Sequence, residues 1–261
     1  MNRLIHVELV KVTTTRLSYG LLATAAALTA LFAVLEASRA GGAAVAPLST
    51  QAGLGAVITG GIWALLFAAV LGVTVSSGEF RHATISATYL VSPRRGRVLA
   101  AKCVAAACAG AVLGLAGWLI ATGVGLGFVS AHGYPVAIGD ATLARYAVGH
   151  VLAGALLGAI GVGIGALVRS QLAAVIGVFV WAIVIESIVG GLYHSVQPYL
   201  PYTAATTMSG SVLGGAAFGP AHGASSAAAP LPFAAAAALL AVLAVTLAAT
   251  AARTTVEKDV S

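Results

Sequence analysis

Charge is scarce in this chain. Asp, Glu, Lys and Arg make up only 8% of its 261 residues, where a soluble domain carries about 25%. With 60% of the residues hydrophobic and a mean hydropathy of +1.02, polar surface is too scarce to face water on all sides. An ordinary soluble domain is excluded, and lipid must be the main solvent. Lysine is scarcer still: Lys11, Lys102 and Lys258 are the only three, and they follow Val10, Ala101 and Glu257. A phosphate-binding loop needs G-x-x-x-x-G-K-[ST], whose amides and lysine hold the phosphates. That motif is missing, so the chain is not expected to hydrolyse ATP by itself. Cysteine is limited to Cys103 and Cys108. They sit five apart in one apolar run and point in different directions on a helix, which fits neither a disulfide nor a metal site. The six histidines are scattered without H-x-x-x-H or H-E-x-x-H spacing, and Ser209-Gly210-Ser211 lacks a G-x-S-x-G setting. No catalytic residue, no metal and no cofactor of the chain's own is expected.

What is present is a series of apolar runs. A bilayer crossing needs about 20 mainly apolar residues. Six runs qualify: one near Leu17 to Leu35, one near Gly53 to Ser76, and one from Lys102 to Gly127 that starts a little earlier. Arg145 to Val168, Leu172 to Leu192 and Leu231 to Ala252 complete the set. The expected fold is all-α: a single transmembrane domain over residues 1–261. The first run is too long for the apolar core of a cleaved signal peptide, which spans about 7–15 residues, so it reads as a retained helix.

Basic residues then set the topology, because cytoplasmic segments are enriched in Lys and Arg. With both termini cytoplasmic, the inner segments hold Arg3, Lys11, Arg16, Arg81, Arg94, Arg95, Arg97, Lys102, Arg169, Arg253 and Lys258, leaving only Arg39 and Arg145 outside. That asymmetry also accounts for the net charge of +6 as topological anchoring. Nucleic acid is not an expected partner.

Two of the inner segments carry more than charge. In residues 1–16, Ile5, Leu9 and Val12 recur at helical spacing beside Arg3, Glu8 and Lys11, a pattern for a short helix in the headgroup layer. The stretch 77–97 is the richest polar segment. Glu79 lies near the start of a short helix there, where the dipole favours a carboxylate. Phe80, Ile85, Tyr89 and Leu90 give it an apolar side, and Pro93 ends it. The run GEFRHATISATYLVSPRRGRVLAAK resembles the first cytoplasmic loop of bacterial type 2 ABC exporter permeases, with its GE-(aromatic)-R opening and its later P-R-R-x-R. The E-x-x-K of Glu8 and Lys11 is similar to that family's interfacial elbow helix. The segment Gln197 to Pro230 lies where the family carries short extracellular re-entrant helices (region 193–230).

The resemblance implies a membrane-spanning permease subunit of an ATP-binding cassette exporter in the bacterial cytoplasmic membrane. Its partners would be a separate ATP-binding subunit, in two copies and holding ATP and Mg, a second permease copy or homologous permease, and membrane lipids. It implies that Glu79, Phe80, Arg81, His82 and Thr84 contact the ATPase, with Arg94, Arg95 and Arg97 holding the loop near that interface. The apolar walls suit a hydrophobic or amphipathic cargo such as a drug or lipid. Ion-coupled carriers usually show intramembrane carboxylates or histidine relays. Here Glu186 is the one clear intramembrane acid, with His150 at comparable depth in the fourth helix, and the two are expected to pair. An ion-coupled carrier or channel, and a non-transporting anchor or assembly subunit, stay open as alternatives. Glycines at Gly154, Gly158, Gly161 and Gly165, and at Gly110, Gly114 and Gly117, form stripes for close helix packing, within one subunit or at a dimer seam.

Overall fold

A computed structural model of the chain describes residues 2–42, 46–81, 95–168, 170–210 and 229–256. Among these residues the only regular structure is helical. Helix α1 (Asn2–Thr14) precedes α2 (Arg16–Arg39). The second apolar run forms α3 (Gln51–Ile58), a 3-10 turn (Thr59–Gly61) and α4 (Ile62–Arg81). Two long helices follow, α5 (Arg95–Ala131) and α6 (Asp140–Val168). The fifth run is α7 (Gln171–Phe179), a π turn (Val180–Ile185) and α8 (Glu186–Leu192). A short helix α9 (Pro201–Met208) then leads to α10 (Phe233–Ala251). Six helical stretches are long and apolar enough to cross a membrane: Arg16–Arg39, Gln51–Gly78, Gly96–Ala131, Asp140–Val168, Gln171–Leu192 and Phe233–Thr254.

Helix ends follow local chemistry. Thr50 caps α3, its hydroxyl accepting the Gly53 N–H at 3.1 Å, which satisfies one of the donors a helix start leaves free. Gly133 takes φ +67° just past α5, a conformation that glycine adopts without a Cβ penalty. Pro201 opens α9 at a position where its missing N–H costs nothing.

The second span is the axis of the bundle. It is 89% buried over its most apolar stretch, against 17% for both the fifth and the sixth spans. A helix that is apolar all round is read as buried, yet the fifth and sixth spans are just as apolar and expose theirs. A bilayer would dissolve such helices as well as protein does. Leu65, Leu66, Val70 and Val73 of α4 join Ala153, Leu157 and Ile160 of α6 and Leu240 of α10 in the largest core cluster.

The glycine stripes build this core from inside one subunit. A Cβ on Gly154 would come within 2.2 Å of the Gly110 carbonyl oxygen, and one on Gly110 equally close to that of Gly154. Farther along α6, Gly161 and Gly165 lie against the Ala69 and Val73 carbonyls of α4. One helix thus presses its backbone onto two neighbours, which only residues without side chains permit.

Candidate functional site

The buried charges of the described residues fall at opposite ends of the bundle. At the end where α1 lies, Lys102 of α5 is 5% exposed and Glu8 of α1 is 4% exposed. The Lys102 ammonium donates to Glu8 Oε2 at 2.9 Å and to the Val75 carbonyl of α4 at 3.4 Å. Lys11 donates to Glu8 Oε1 at 2.8 Å. A lysine within an apolar helix calls for a carboxylate, and here the carboxylate comes from outside the spans. The E-x-x-K spacing was legible in the sequence; its attachment to Lys102, across 94 residues, was not.

This ion pair bears on the segment that resembles a coupling loop. Glu79, Phe80 and Arg81 form the last turn of α4, not the start of a separate short helix as expected, because the second span stays helical through Ser77 and Gly78; Arg95 is the first residue of α5. Arg97 is exposed on α5. His82, Thr84 and Arg94 lie outside the described residues. Both helices that frame the segment, α4 through the Val75 carbonyl and α5 through Lys102, meet the Glu8 cluster.

At the opposite end Glu186 is 4% exposed, and it does not pair with His150. Its Oε1 accepts the Tyr202 N–H at 2.7 Å and the Trp181 indole N–H at 3.1 Å. Its Oε2 accepts the Thr203 N–H at 2.8 Å and the Thr203 hydroxyl at 2.9 Å. These amides belong to the second and third residues of α9, whose N-cap, Leu200, has no side-chain oxygen. With Pro201 contributing no N–H, the first free donors of α9 are those two amides, and a distant carboxylate caps them. The π turn makes this possible. Its five-residue repeat sets the Glu186 N–H on the Trp181 carbonyl and brings the Trp181 indole onto the same side as the Glu186 carboxylate. Single π turns of this kind concentrate at functional sites.

Helix α9 has a second anchor. The Tyr202 hydroxyl donates to the Ile62 carbonyl at 2.8 Å. Burial, with the Glu186 carboxylate adding to it, holds the Tyr202 phenol well above its ordinary range, so it stays a protonated donor. The Met208 carbonyl at the far end of α9 abuts Gly149.

His150 is fully buried. Its Nδ1 lies 2.9 Å from the Tyr146 carbonyl oxygen, so Nδ1 carries the proton and Nε2 presents a lone pair. Nε2 has no hydrogen-bond partner. The ring packs against the second span, where a Cβ on Gly61 would fall 2.6 Å from Nε2. The expected His150–Glu186 pair is therefore corrected. The backbone amides of α9 outcompete the imidazole for the carboxylate, and His150 turns toward the second span.

The described residues hold no group of three His, Cys, Asp or Glu placed for a metal. The class these features define is an all-helical protein with six helices of membrane-crossing length and apolarity. Comparisons of the chain with protein-family models, with curated proteins and with solved structures find no match.

Proposed function

We propose that this chain is the membrane-spanning permease subunit of an ATP-driven exporter, with both termini cytoplasmic and the loop after α4 docked on a separate ATPase. The observation that carries the reading is the buried Glu8–Lys102 pair with its contact to the Val75 carbonyl. A connection that must move two helices together needs its roots tied, and α1 ties the roots of the richest polar stretch in the sequence. The last turn of α4, the loop after it and the start of α5 supply the docking residues by resemblance: Glu79, Phe80, Arg81, His82 and Thr84, backed by Arg94, Arg95 and Arg97. Energy has to come from another chain, because this one lacks a phosphate-binding loop. Cargo would be hydrophobic or amphipathic, passing along a path shared with a second permease copy. An ion-coupled carrier is less well supported, since the acceptor capacity of Glu186 is already taken by four donors.

The test is purification of the tagged chain from its own cells in mild detergent, followed by mass spectrometry of co-purifying chains. An ATP-binding subunit is expected with the wild type and is expected to be lost when Glu79 and Arg81 are charge-reversed. Retention by that variant would move the interface elsewhere. Absence of any ATPase from the wild type, with ion-driven flux in vesicles, would replace this reading with a carrier.

A further inference from the structure

The second span is the most buried of the six and yet is not a continuous α-helix. It changes to a 3-10 turn at Thr59–Gly61, where two adjacent glycines meet three neighbouring helices: Gly60 lies against the backbone of Ala33 in α2, and Gly61 against the His150 ring of α6 and Gly117 of α5. The turn lies about 15 Å from the start of its span, at 1.5 Å per residue, well inside the helical stretch Gln51–Gly78.

Four side chains near this level carry a buried polar atom without a partner: Thr29 Oγ1, Trp118 Nε1, Thr122 Oγ1 and His150 Nε2. Thr29 is one turn from Ala33, Trp118 is next to Gly117, and Thr122 is one turn beyond. Buried polar groups in native proteins are nearly always matched, and each exception needs a physical cause. Packing alone does not supply one at His150, because a leucine would fill the space without an orphaned acceptor. Just past the turn, the Ile62 carbonyl receives the Tyr202 hydroxyl from α9.

We infer that the second span pivots at Thr59–Gly61, with Tyr202 as the latch and the unmatched His150 lone pair biasing the pivot toward opening. In the opened state Nε2 meets a hydrogen-bond donor, either an entering water or a hydroxyl of the same layer. A mid-helix 3-10 stretch is where such a hinge is expected. Helix α4 runs from the pivot to the polar loop, so a push on that loop would reach α9 and its Glu186 anchor through Tyr202. The pivot stands without the ATPase reading.

Hydrogen–deuterium exchange of the full chain in lipid nanodiscs, read by mass spectrometry, tests it. In the wild type, residues 57–64 are expected to exchange faster than residues 151–158 of α6. In His150→Leu, exchange at 57–64 is expected to slow about tenfold, as the penalty that favours opening is removed. Equal wild-type rates in the two segments overturn the pivot. Unchanged or faster exchange at 57–64 in the leucine variant assigns the imidazole to packing and also overturns it. Should His150→Leu not fold, Tyr202→Phe decides. Exchange at 57–64 about fivefold faster without the latch supports the pivot, and an unchanged rate sinks it.

Discussion

At the scale of single residues, Glu186 illustrates how a buried carboxylate is kept without a cation. Four donors from Trp181, Tyr202 and Thr203 surround it. Two of them are backbone amides at the positive end of a helix. Removing the acceptor leaves those donors buried and unmatched, at about 1–3 kcal/mol each. Glu186→Ala is therefore expected to destabilise the chain by about 4 kcal/mol, and Glu186→Gln, which keeps one acceptor oxygen, by about 2 kcal/mol. Thermal unfolding in detergent would register both, with Glu36→Gln as a half-buried control that leaves the midpoint in place. Glu186 itself was legible as the one clear intramembrane acid, but its partners were not. Tyr202 and Thr203 are ordinary residues in sequence, and their amides become donors only because Pro201 and an uncapped Leu200 start a helix there. His150 was legible as polar and buried, and its direction was not, since that depends on Gly61 lying across from it.

At the scale of helices, periodicity and charge located the spans well, because a run of about 20 apolar residues has few alternatives in lipid. They missed the interruptions. The 3-10 turn at Thr59–Gly61 and the π turn at Val180–Ile185 leave the hydrophobic pattern intact and change only which face each residue occupies. Glycine stripes announced close packing, and the backbone contacts assign that packing to α4, α5 and α6. Gly154→Val is expected to destabilise the chain by about 3 kcal/mol through overpacking, since the new side chain meets the Gly110 carbonyl. Gly177→Val should be nearly silent, because nothing lies within 4 Å of a Cβ there. A pair of thermal melts separates the two, and equal effects would contradict the seam.

At the scale of the whole molecule, the basic residues predict an orientation with both termini cytoplasmic. Tyr134 and Tyr199 are exposed, at 44% and 58%, just past the ends of the third and fifth candidate spans, where aromatic rings would favour an interface. In a background with Cys103 and Cys108 replaced by alanine, single cysteines at Tyr134 and Tyr199 should react with a membrane-impermeant maleimide in intact cells. A cysteine at Arg97 should react only after lysis. The opposite pattern would invert the topology and move the polar loop away from any cytoplasmic ATPase. At this scale the proposed function rests on resemblance in one loop, since apolar walls look alike whether they face lipid, cargo or another subunit.

The Glu8–Lys102 pair also sets an order of events during synthesis. Glu8 emerges 94 residues before its partner, an interval on the order of ten seconds at about 5–20 residues per second. Throughout that time α1 holds a carboxylate with no buried cation to meet, so it has to wait at the water-facing boundary while the first two spans enter the bilayer. Arrival of the third span carries Lys102 to the boundary and draws α1 in. A nascent chain stopped before residue 102 would leave α1 open to added protease, and one stopped well beyond it would not. The first helix made is thus among the later ones to find its place.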